Sequence, residues 1–232
     1  MQRLDKLVST KLNITRSQAK ALIKSGGVTV NGSAVLSCDM KCGDSDVITA
    51  DGRTLDTREF VYIMQNKPAG VICATDGKGD KTVLDLLPED MRRKGLFPAG
   101  RLDKNTTGFV LITDDGDFAH RFLSPKGHTV KTYIATLDKP VDDGVIADFE
   151  SGMTLGDEKL KPARLTVLDE STAQVEISQG IYHQIKRMFK KHGITVTALK
   201  RIKIGGVALD RNLALGECRY LDDDEIDKIC QK

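Results

Sequence analysis

Two glycines, Gly100 and Gly108, bracket a short polar loop that is followed at once by the apolar run Phe-Val-Leu-Ile at 109–112. A short apolar run that contains β-branched residues is typical of a buried strand. The loop itself holds an arginine, two threonines and the carboxylate of Asp103. A carboxylate on a loop that a core strand holds in place is a common position for a catalytic group. The pattern therefore predicts a buried strand with Asp103 as a candidate catalytic residue at its entrance.

The residues alone leave two other interpretations of this loop open. Asp103 could only cap the turn before the strand, through hydrogen bonds to nearby backbone N–H groups. A calcium-loop template is also matched, at Asp103, Asn105, Thr107, Gly108 and Asp114. Against calcium, Pro98 and Gly100 stand where the entering helix should be, and Asp114 replaces the usual glutamate. Calcium is therefore the weakest of the three hypotheses.

The length of 232 residues fits one large domain, or a small module followed by a domain of medium size. A hydrophobic content of 40% suffices for a packed core, and 29% of charged residues indicates a soluble surface. No apolar run approaches the roughly 18 residues of a membrane span, and no apolar export signal follows the first residues. Of the five cysteines, Cys38 and Cys42 are not followed by a second pair at zinc-site spacing. We expect a cytoplasmic protein with free thiols, no metal and no membrane association.

The net charge of +2 hides two strongly basic segments. Residues 1–31 contain one acid, Asp5, against the basic residues Arg3, Lys6, Lys11, Arg16, Lys20 and Lys24. Residues 177–209 contain no acid and carry Lys186, Arg187, Lys190, Lys191, Lys200, Arg201 and Lys203. Such islands in a nearly neutral chain indicate contacts with a polyanion at defined places. Solvated helix faces are the alternative interpretation of each island.

Residues 1–50 have the pattern of a small α/β unit. Leu4, Leu7 and Val8 recur at helical spacing, and a second helix can begin after a cap at Thr15 or Ser17. Residues 28–32 predict a strand followed by a tight turn. The unit resembles the S4 domain, a small RNA-binding module, through Arg3-Leu4-Asp5-Lys6-Leu7, Arg16, Ala19, Ile23 and the run 27–32. The resemblance implies that phosphates are neutralised by Arg3, Arg16, Lys20 and Lys24.

Residues 51–59 are polar and lack an apolar period, so they are interpreted as a linker to a second domain over residues 60–232. In that domain the sequence predicts a strand at 60–64, a strand at 131–135 and an amphipathic basic helix around 185–191. The acidic run 222–225 is typical of a helix start.

The central loop resembles the main motif of the RNA pseudouridine synthases, through Gly100-Arg101-Leu102-Asp103 continued by Thr106, Thr107 and Gly108. Two further segments share the resemblance, Lys131-Thr132-Tyr133 and His183-Gln184-Ile185-Lys186. It is closest to the branch that modifies ribosomal RNA stem-loops and extends from residue 1 to about residue 225. The fold it implies is α+β: the S4 module plus a synthase domain on a mixed, largely antiparallel sheet with flanking helices.

The resemblance assigns three catalytic residues. Asp103 is the essential carboxylate, Tyr133 stacks on the extruded base and assists removal of its C5 proton, and Lys186 neutralises and orients Asp103. A lysine at position 186 supplies a point charge instead of the planar fork of arginine. Substrate binding falls to Arg101, which fills the space left by the flipped nucleotide, to Ile185 as a pocket wall, and to Thr107. Arg187 and Lys190 are expected to contact RNA.

The activity implied is isomerisation of uridine to pseudouridine in ribosomal RNA, most directly at one uridine of a 16S stem-loop. Direct nucleophilic attack by the aspartate and removal of a ribose proton both stay open as routes. We expect no cofactor, a monomer, and ribosomal RNA or a pre-ribosomal particle as partner. A synthase for 23S RNA is the alternative, and a non-catalytic ribosome-assembly factor is a weaker one. The short chain without a long basic tail favours the small subunit.

Overall fold

The structure is a computed structural model that describes residues 1–43, 45–55, 57–124 and 129–230. The chain divides into two compact units, Met1–Phe60 and Val61–Lys232, which are called the N-terminal and C-terminal units below. Among the described residues, no helix combines the length and apolar character that crossing a bilayer requires.

The N-terminal unit packs two helices against short strands. Its elements are β1 (Gln2–Arg3), α1 (Leu4–Lys11), α2 (Arg16–Lys24), β2 (Val28–Val30), β3 (Ser33–Ala34), β4 (Lys41–Cys42), β5 (Ile48–Ala50) and β6 (Arg53–Leu55). Thr15 caps α2 reciprocally with Gln18, because each side chain accepts a hydrogen bond from the backbone N–H of the other. The sheet order is β3-β2-β5-β6, and β1 pairs with β4. Leu4, Leu7 and Ile23 lie in the core of this unit.

The predicted linker 51–59 is wrong over part of its length. Arg53–Leu55 forms β6, which pairs antiparallel with β5. The intervening Asp51 and Gly52 both have positive φ angles of 51° and 71°, as a tight hairpin turn requires. A three-residue strand is too short to show an apolar period, so the sequence pattern concealed it.

The C-terminal unit contains the remaining elements. They are β7 (Tyr62–Lys67), a 3₁₀ turn (Glu89–Met91), β8 (Phe97–Pro98), β9 (Thr107–Thr113), α3 (Gly116–Leu123), β10 (Lys131–Leu137), α4 (Asp143–Ser151), β11 (Thr154–Leu155), β12 (Glu158–Lys159), β13 (Arg164–Asp169), β14 (Thr172–Ile177), α5 (Gln184–Lys191), β15 (Val196–Ile204), β16 (Val207–Ala208), β17 (Cys218–Tyr220) and α6 (Asp223–Cys230). The predicted strand at 60–64 begins two residues later, at Tyr62.

A mixed sheet forms the centre of this unit, with the order β13-β14-β10-β15-β9-β7-β17. Strands β9 and β15 pair in parallel, while the neighbouring pairs β7–β9, β10–β15 and β10–β14 are antiparallel. The predicted α+β class, with a mixed and largely antiparallel sheet beside an N-terminal module, is confirmed. Helices pack on both faces of this sheet.

Strand β9 shows why both faces are covered. Val110 and Ile112 belong to one core cluster, which also contains residues of α4 and α5. Phe109 and Leu111 point to the opposite face and join a second cluster with residues of α3 and α6. Since side chains alternate along a strand, an unbroken apolar run is what a strand buried on both faces needs. The strand predicted at 109–112 is confirmed.

Gly108 allows the close approach of β9 to β15. Its φ angle is +98°, and a Cβ atom placed there would lie 2.2 Å from the carbonyl oxygen of Arg201. Register pairs join Gly108 to Arg201 and Thr107 to Lys200. The second glycine of the motif therefore fixes the loop before β9 against the strand that neighbours β10.

Candidate active site

A cleft of about 840 Å³ opens on the C-terminal unit where the Asp103 loop, β10, β15 and the start of α5 converge. Its lining includes Arg101, Asp103, Tyr133, Ile185 and Lys186. These five predicted site residues come from three separate segments of the chain. The volume lies in the range of pockets that hold small molecules.

The Asp103 carboxylate lies between two side chains that carry nitrogen atoms, Lys186 in α5 and His183 directly before α5. The Nζ atom of Lys186 is 3.0 Å from one carboxylate oxygen, and Nε2 of His183 is 3.5 Å from the other. The Asp103 side chain keeps 26% of its exposure, so a substrate can still reach it. The predicted pairing of Lys186 with Asp103 is present in the structure.

Lys67 holds the loop that carries Asp103 in place through hydrogen bonds to the loop backbone. This lysine is fully buried, and its Nζ donates to the carbonyl oxygens of Pro68, Lys104 and Thr106. Burial lowers the pKa of Lys67. Three acceptors on one ammonium satisfy all its donors, and two of them fix the segment that directly follows Asp103. Nothing in the local sequence around Lys67 distinguished it from a surface lysine.

Tyr133 lies on β10 with only 7% of its surface exposed. Opposite it on β15 is Arg201, which is 3% exposed and whose Nη1 donates to the Tyr133 hydroxyl at 3.4 Å. The Arg201 Nε donates to the carbonyl of Phe109 at 2.7 Å, while Nη2 is buried without a hydrogen-bond partner among the described residues. The sequence placed Arg201 in a basic island, whereas the structure buries it under Tyr133.

Lys131 is a second cleft residue that sequence reasoning did not single out. It precedes Tyr133 by two positions on β10, and alternation therefore puts both side chains on one face. Burial lowers the pKa of Lys131 to about 8, and the charges of Arg201 and Lys161 add to this effect. Its Nζ lies 5.5 Å from the ring centre of Phe122. The same-face spacing from Tyr133 was the signal that could have identified it.

Thr107 is not brought into the cleft. Its hydroxyl donates to the carbonyl of Leu199 on β15 at 3.5 Å, because Thr107 already belongs to β9. The neighbouring Thr106 lines the cleft instead, with Oγ1 3.5 Å from a carboxylate oxygen of Asp103. The substrate contact of Thr107 therefore stays a prediction, and it is Thr106 that lies beside Asp103 in the cleft.

The calcium-loop alternative does not fit the structure. The seven residues of strand β9 lie between Asp103 and Asp114 in the chain. Their extended backbone spans about 24 Å. Asp114 pairs with Arg93 at 2.6 Å and accepts a hydrogen bond from the backbone N–H of Val61. Both carboxylates therefore serve separate sites.

The two cations of α5 that were predicted to contact RNA differ in their contacts. Arg187 pairs with Glu158 at 2.9 Å and donates to the carbonyl oxygens of Leu155 and Tyr182. It therefore stabilises the entrance of α5. Lys190 is exposed and remains the more accessible of the two.

In the N-terminal unit, three of the four predicted RNA contacts surround one carboxylate. Asp5 is fully buried, and its oxygens lie 3.2 Å from Arg3, 3.1 Å from Arg16 and 4.0 Å from Lys20. Hydrogen bonds from Arg3 and then Arg16 lower the pKa of Asp5 to about 2, against the opposing effect of burial. The three cations keep about half of their side-chain exposure, so Asp5 gathers them on one accessible face. Lys24 is exposed on the same helix as Arg16 and Lys20.

Comparison with known proteins identifies the families to which the two units are similar. The sequence model of the family described as RNA pseudouridylate synthase matches residues 61–191, and that of the S4 domain matches residues 2–48. The ribosomal small subunit pseudouridine synthase A of Escherichia coli is 42% identical over 230 residues, which cover 98% of this chain and 99% of that protein. An uncharacterized RNA pseudouridine synthase of Bacillus subtilis is 42% identical over 231 residues, 97% of this chain and 96% of its own.

Among solved structures, a crystal structure of a pseudouridylate synthase covers 99% of this chain and 100% of its own, with 40% sequence identity and a TM-score of 0.70. Full-length similarity at this identity, together with the two family matches, extends over both units of the chain. The chain therefore belongs to the RNA pseudouridylate synthase family, as an RNA-modifying isomerase with an S4 domain at its N-terminal end.

Proposed function

We propose that this protein isomerises one uridine of small-subunit ribosomal RNA to pseudouridine, with Asp103 as the essential carboxylate. The observation that carries the proposal is the ion pair of 3.0 Å between Asp103 and Lys186 inside a cleft that Tyr133 also lines. The names of several full-length relatives favour the small subunit, since they are ribosomal small subunit pseudouridine synthases.

The target base must leave its stack before Asp103 can reach the sugar. Arg101 is exposed at the cleft and is placed to occupy the space that a flipped nucleotide leaves. Tyr133 offers a ring for the extruded uracil, and Ile185 closes the pocket as an apolar wall. These contacts select a single unpaired nucleotide of the RNA.

The reaction breaks the bond between C1′ and N1 and forms a bond between C1′ and C5 of the same uracil. Asp103 either adds to the nucleotide or removes a ribose proton to give a glycal, and is regenerated in both routes. After the uracil turns and reattaches through C5, the C5 proton leaves with the help of the Tyr133 hydroxyl, and N1, which has lost its bond to the sugar, takes up a proton. The isomerisation conserves atoms and electrons, so these side chains suffice without a redox cofactor.

Lys186 holds the carboxylate in an orientation that faces the cleft, since its Nζ lies 3.0 Å from one carboxylate oxygen. The ammonium of Lys67 donates all its hydrogen bonds to backbone carbonyls and thereby keeps the Asp103 loop in place. Both lysines therefore act through the position of Asp103.

The S4 module contributes affinity. Arg3, Arg16 and Lys20, gathered by Asp5, and the exposed Lys24 offer a cationic face to the RNA backbone. We infer that the partner is ribosomal RNA or a pre-ribosomal particle, bound by a monomer in the cytoplasm. The thiols of Cys38, Cys42, Cys73 and Cys218 are free, as a reducing compartment favours.

The test is pseudouridine mapping of both ribosomal RNAs in cells that carry the wild type, Asp103→Asn or Asp227→Asn. Asp227 is an exposed residue of α6 outside the cleft and serves as the matched control. We expect one small-subunit site to disappear with Asp103→Asn alone. A site lost from the large-subunit RNA would correct the target, and retention of every site would overturn the role of Asp103.

A further inference from the structure

Tyr182 is the most exposed large aromatic side chain at the rim of the cleft. Its relative exposure is 76%, although a tyrosine ring carries a large apolar surface. The ring stacks on the imidazole of His183, with a centroid distance of 3.8 Å and an interplanar angle of 18°. One face of the tyrosine is therefore covered and the other is left open to solvent.

The backbone turn that carries this ring is held in place by its surroundings. His183 has a φ angle of 52°, in the left-handed region that few non-glycine residues adopt. The backbone N–H of Ile181 donates to Gln184 at 3.3 Å, and Arg187 donates to the carbonyl of Tyr182 at 3.4 Å. Arg187 is itself paired with Glu158. The open ring is thus presented by a braced turn at the start of α5.

The fold does not account for the exposed ring. Among the described residues, the Tyr182 hydroxyl makes no hydrogen bond, and the ring belongs to neither core cluster of its unit. The contact that orders the backbone of Tyr182 is made by its carbonyl oxygen, and any residue at this position could make it. The side chain is therefore free to serve a ligand.

The neighbourhood of the ring identifies that ligand. His183 separates Tyr182 from the catalytic centre, since its Nε2 lies 3.5 Å from Asp103. His183 covers one face of Tyr182, so a uridine at Asp103 and the buried Tyr133 leaves the solvent-exposed face of Tyr182 open. The next nucleotide along the chain emerges at the rim, where a planar aromatic surface can receive its base.

We propose that Tyr182 is a stacking platform for an unpaired base directly adjacent to the target uridine. This rests on the proposed function, because it is the position of the target at Asp103 that places a neighbouring base at the rim. Stacking uses the π-face that every base has, so the platform tolerates any base and demands that the neighbour be unpaired.

The experiment uses the full-length chain and an RNA stem-loop that contains the mapped target, with 2-aminopurine in turn on its 5′ and 3′ sides. Binding is measured in the Asp103→Asn background, so that the target stays unreacted. Tyr182→Phe keeps the ring, and Tyr182→Leu keeps apolar surface without a ring. We expect quenching at one neighbour with tyrosine and phenylalanine but not with leucine, and an affinity about 5- to 100-fold weaker for leucine.

A second readout separates stacking from damage to the catalytic centre. With Asp103 intact and RNA saturating, the single-turnover rate of Tyr182→Leu should equal that of the wild type. An abasic neighbour in the RNA should weaken binding of the wild type and leave the binding of Tyr182→Leu unchanged.

Three results would overturn the platform: equal affinities of Tyr182→Leu and the wild type, no quenching at either neighbour, or a saturated rate that falls while binding is kept. The last would mean that Tyr182 acts through His183 on Asp103. If Asp103→Asn still isomerises uridine, the proposed chemistry fails instead, and the quenching and affinity measurements still report on Tyr182.

Discussion

Substitution of Gly108 by alanine tests how the catalytic loop is joined to the sheet. The new Cβ would lie 2.2 Å from the carbonyl oxygen and 2.9 Å from the backbone nitrogen of Arg201. Neither atom belongs to a flexible side chain, so β9 and β15 must separate. Gly216 provides a matched control, because its φ angle of +93° is close to the +98° of Gly108, yet no atom lies within 4 Å of its added Cβ.

The expected cost has two parts. An alanine with positive φ is strained by about 1–2 kcal/mol, and this term applies to both glycines. Overpacking against a rigid backbone adds about 1–3 kcal/mol at Gly108 alone. The gain from a stiffer unfolded chain is common to both substitutions. We therefore expect Gly108→Ala to lower the free energy of unfolding by about 2–5 kcal/mol and Gly216→Ala by about 1–2 kcal/mol.

Guanidinium unfolding of the full-length variants, followed by circular dichroism since the chain has no tryptophan, measures this difference. Hydrogen exchange in peptides of β9 and β15 assigns the change to the right strands. Single-turnover activity of Gly108→Ala should also fall under conditions where it is folded, because the loop of Asp103 shifts relative to Tyr133. Equal destabilisation by the two substitutions would refute the close approach of the strands as the reason for Gly108.

Two further predictions concern charged groups. Because burial lowers the pKa of Lys131 to about 8, its folded form binds fewer protons than the unfolded chain between that pH and the ordinary lysine value, and stability should rise with pH there. Lys131→Met should therefore stabilise the protein at pH 7 by about 1–2 kcal/mol while weakening RNA binding, and destabilisation at both pH 7 and pH 9.5 would contradict this. The pKa of Asp5, lowered to about 2, contributes stability above its ordinary value of 3.8 that is lost as the pH falls toward 2. Asp5→Asn should lower the free energy of unfolding of the N-terminal unit by about 1–2 kcal/mol at pH 7, a value reduced because the cationic partners of Asp5 are half-exposed. Hydrogen exchange of α1 and α2 measures this change, with Asp51→Asn as the control.

The elements that the sequence predicted correctly are those whose signal is local. The run at 109–112 is apolar because β9 is covered on both faces, and the face of α5 formed by Ile185, Met188 and Phe189 repeats at helical spacing because only that side is buried. Such patterns are set by the element itself. Strand β6 was not predicted, because three residues are too few to show an apolar period and because the strand is defined by its pairing with β5.

The candidate site was predictable to the extent that motifs carried it. Asp103, Tyr133 and Lys186 were found through the family resemblance, and the structure brings them to one cleft. Lys67 and Arg201 were missed because a buried cation looks like a surface cation in the sequence. Both are buried by segments distant in the chain: the carbonyl oxygens around Asp103 enclose Lys67, and Tyr133 covers Arg201.

These buried cations explain how a loop, a strand and a helix from distant parts of the chain can hold one geometry. Lys67 satisfies its charge entirely on backbone carbonyls, so it fixes the Asp103 loop without competing with Lys186 for the carboxylate. Arg201 spans from the carbonyl of Phe109 on β9 to the hydroxyl of Tyr133 on β10, and thereby ties the strand after the loop to the strand that carries the tyrosine. Gly108 sets the distance between β9 and β15, because its missing side chain lets Arg201 of β15 lie directly beside β9. The carboxylate and the tyrosine are thus positioned by the strands of the sheet together with cationic side chains, since Lys186 contacts the carboxylate and Arg201 donates to the tyrosine hydroxyl.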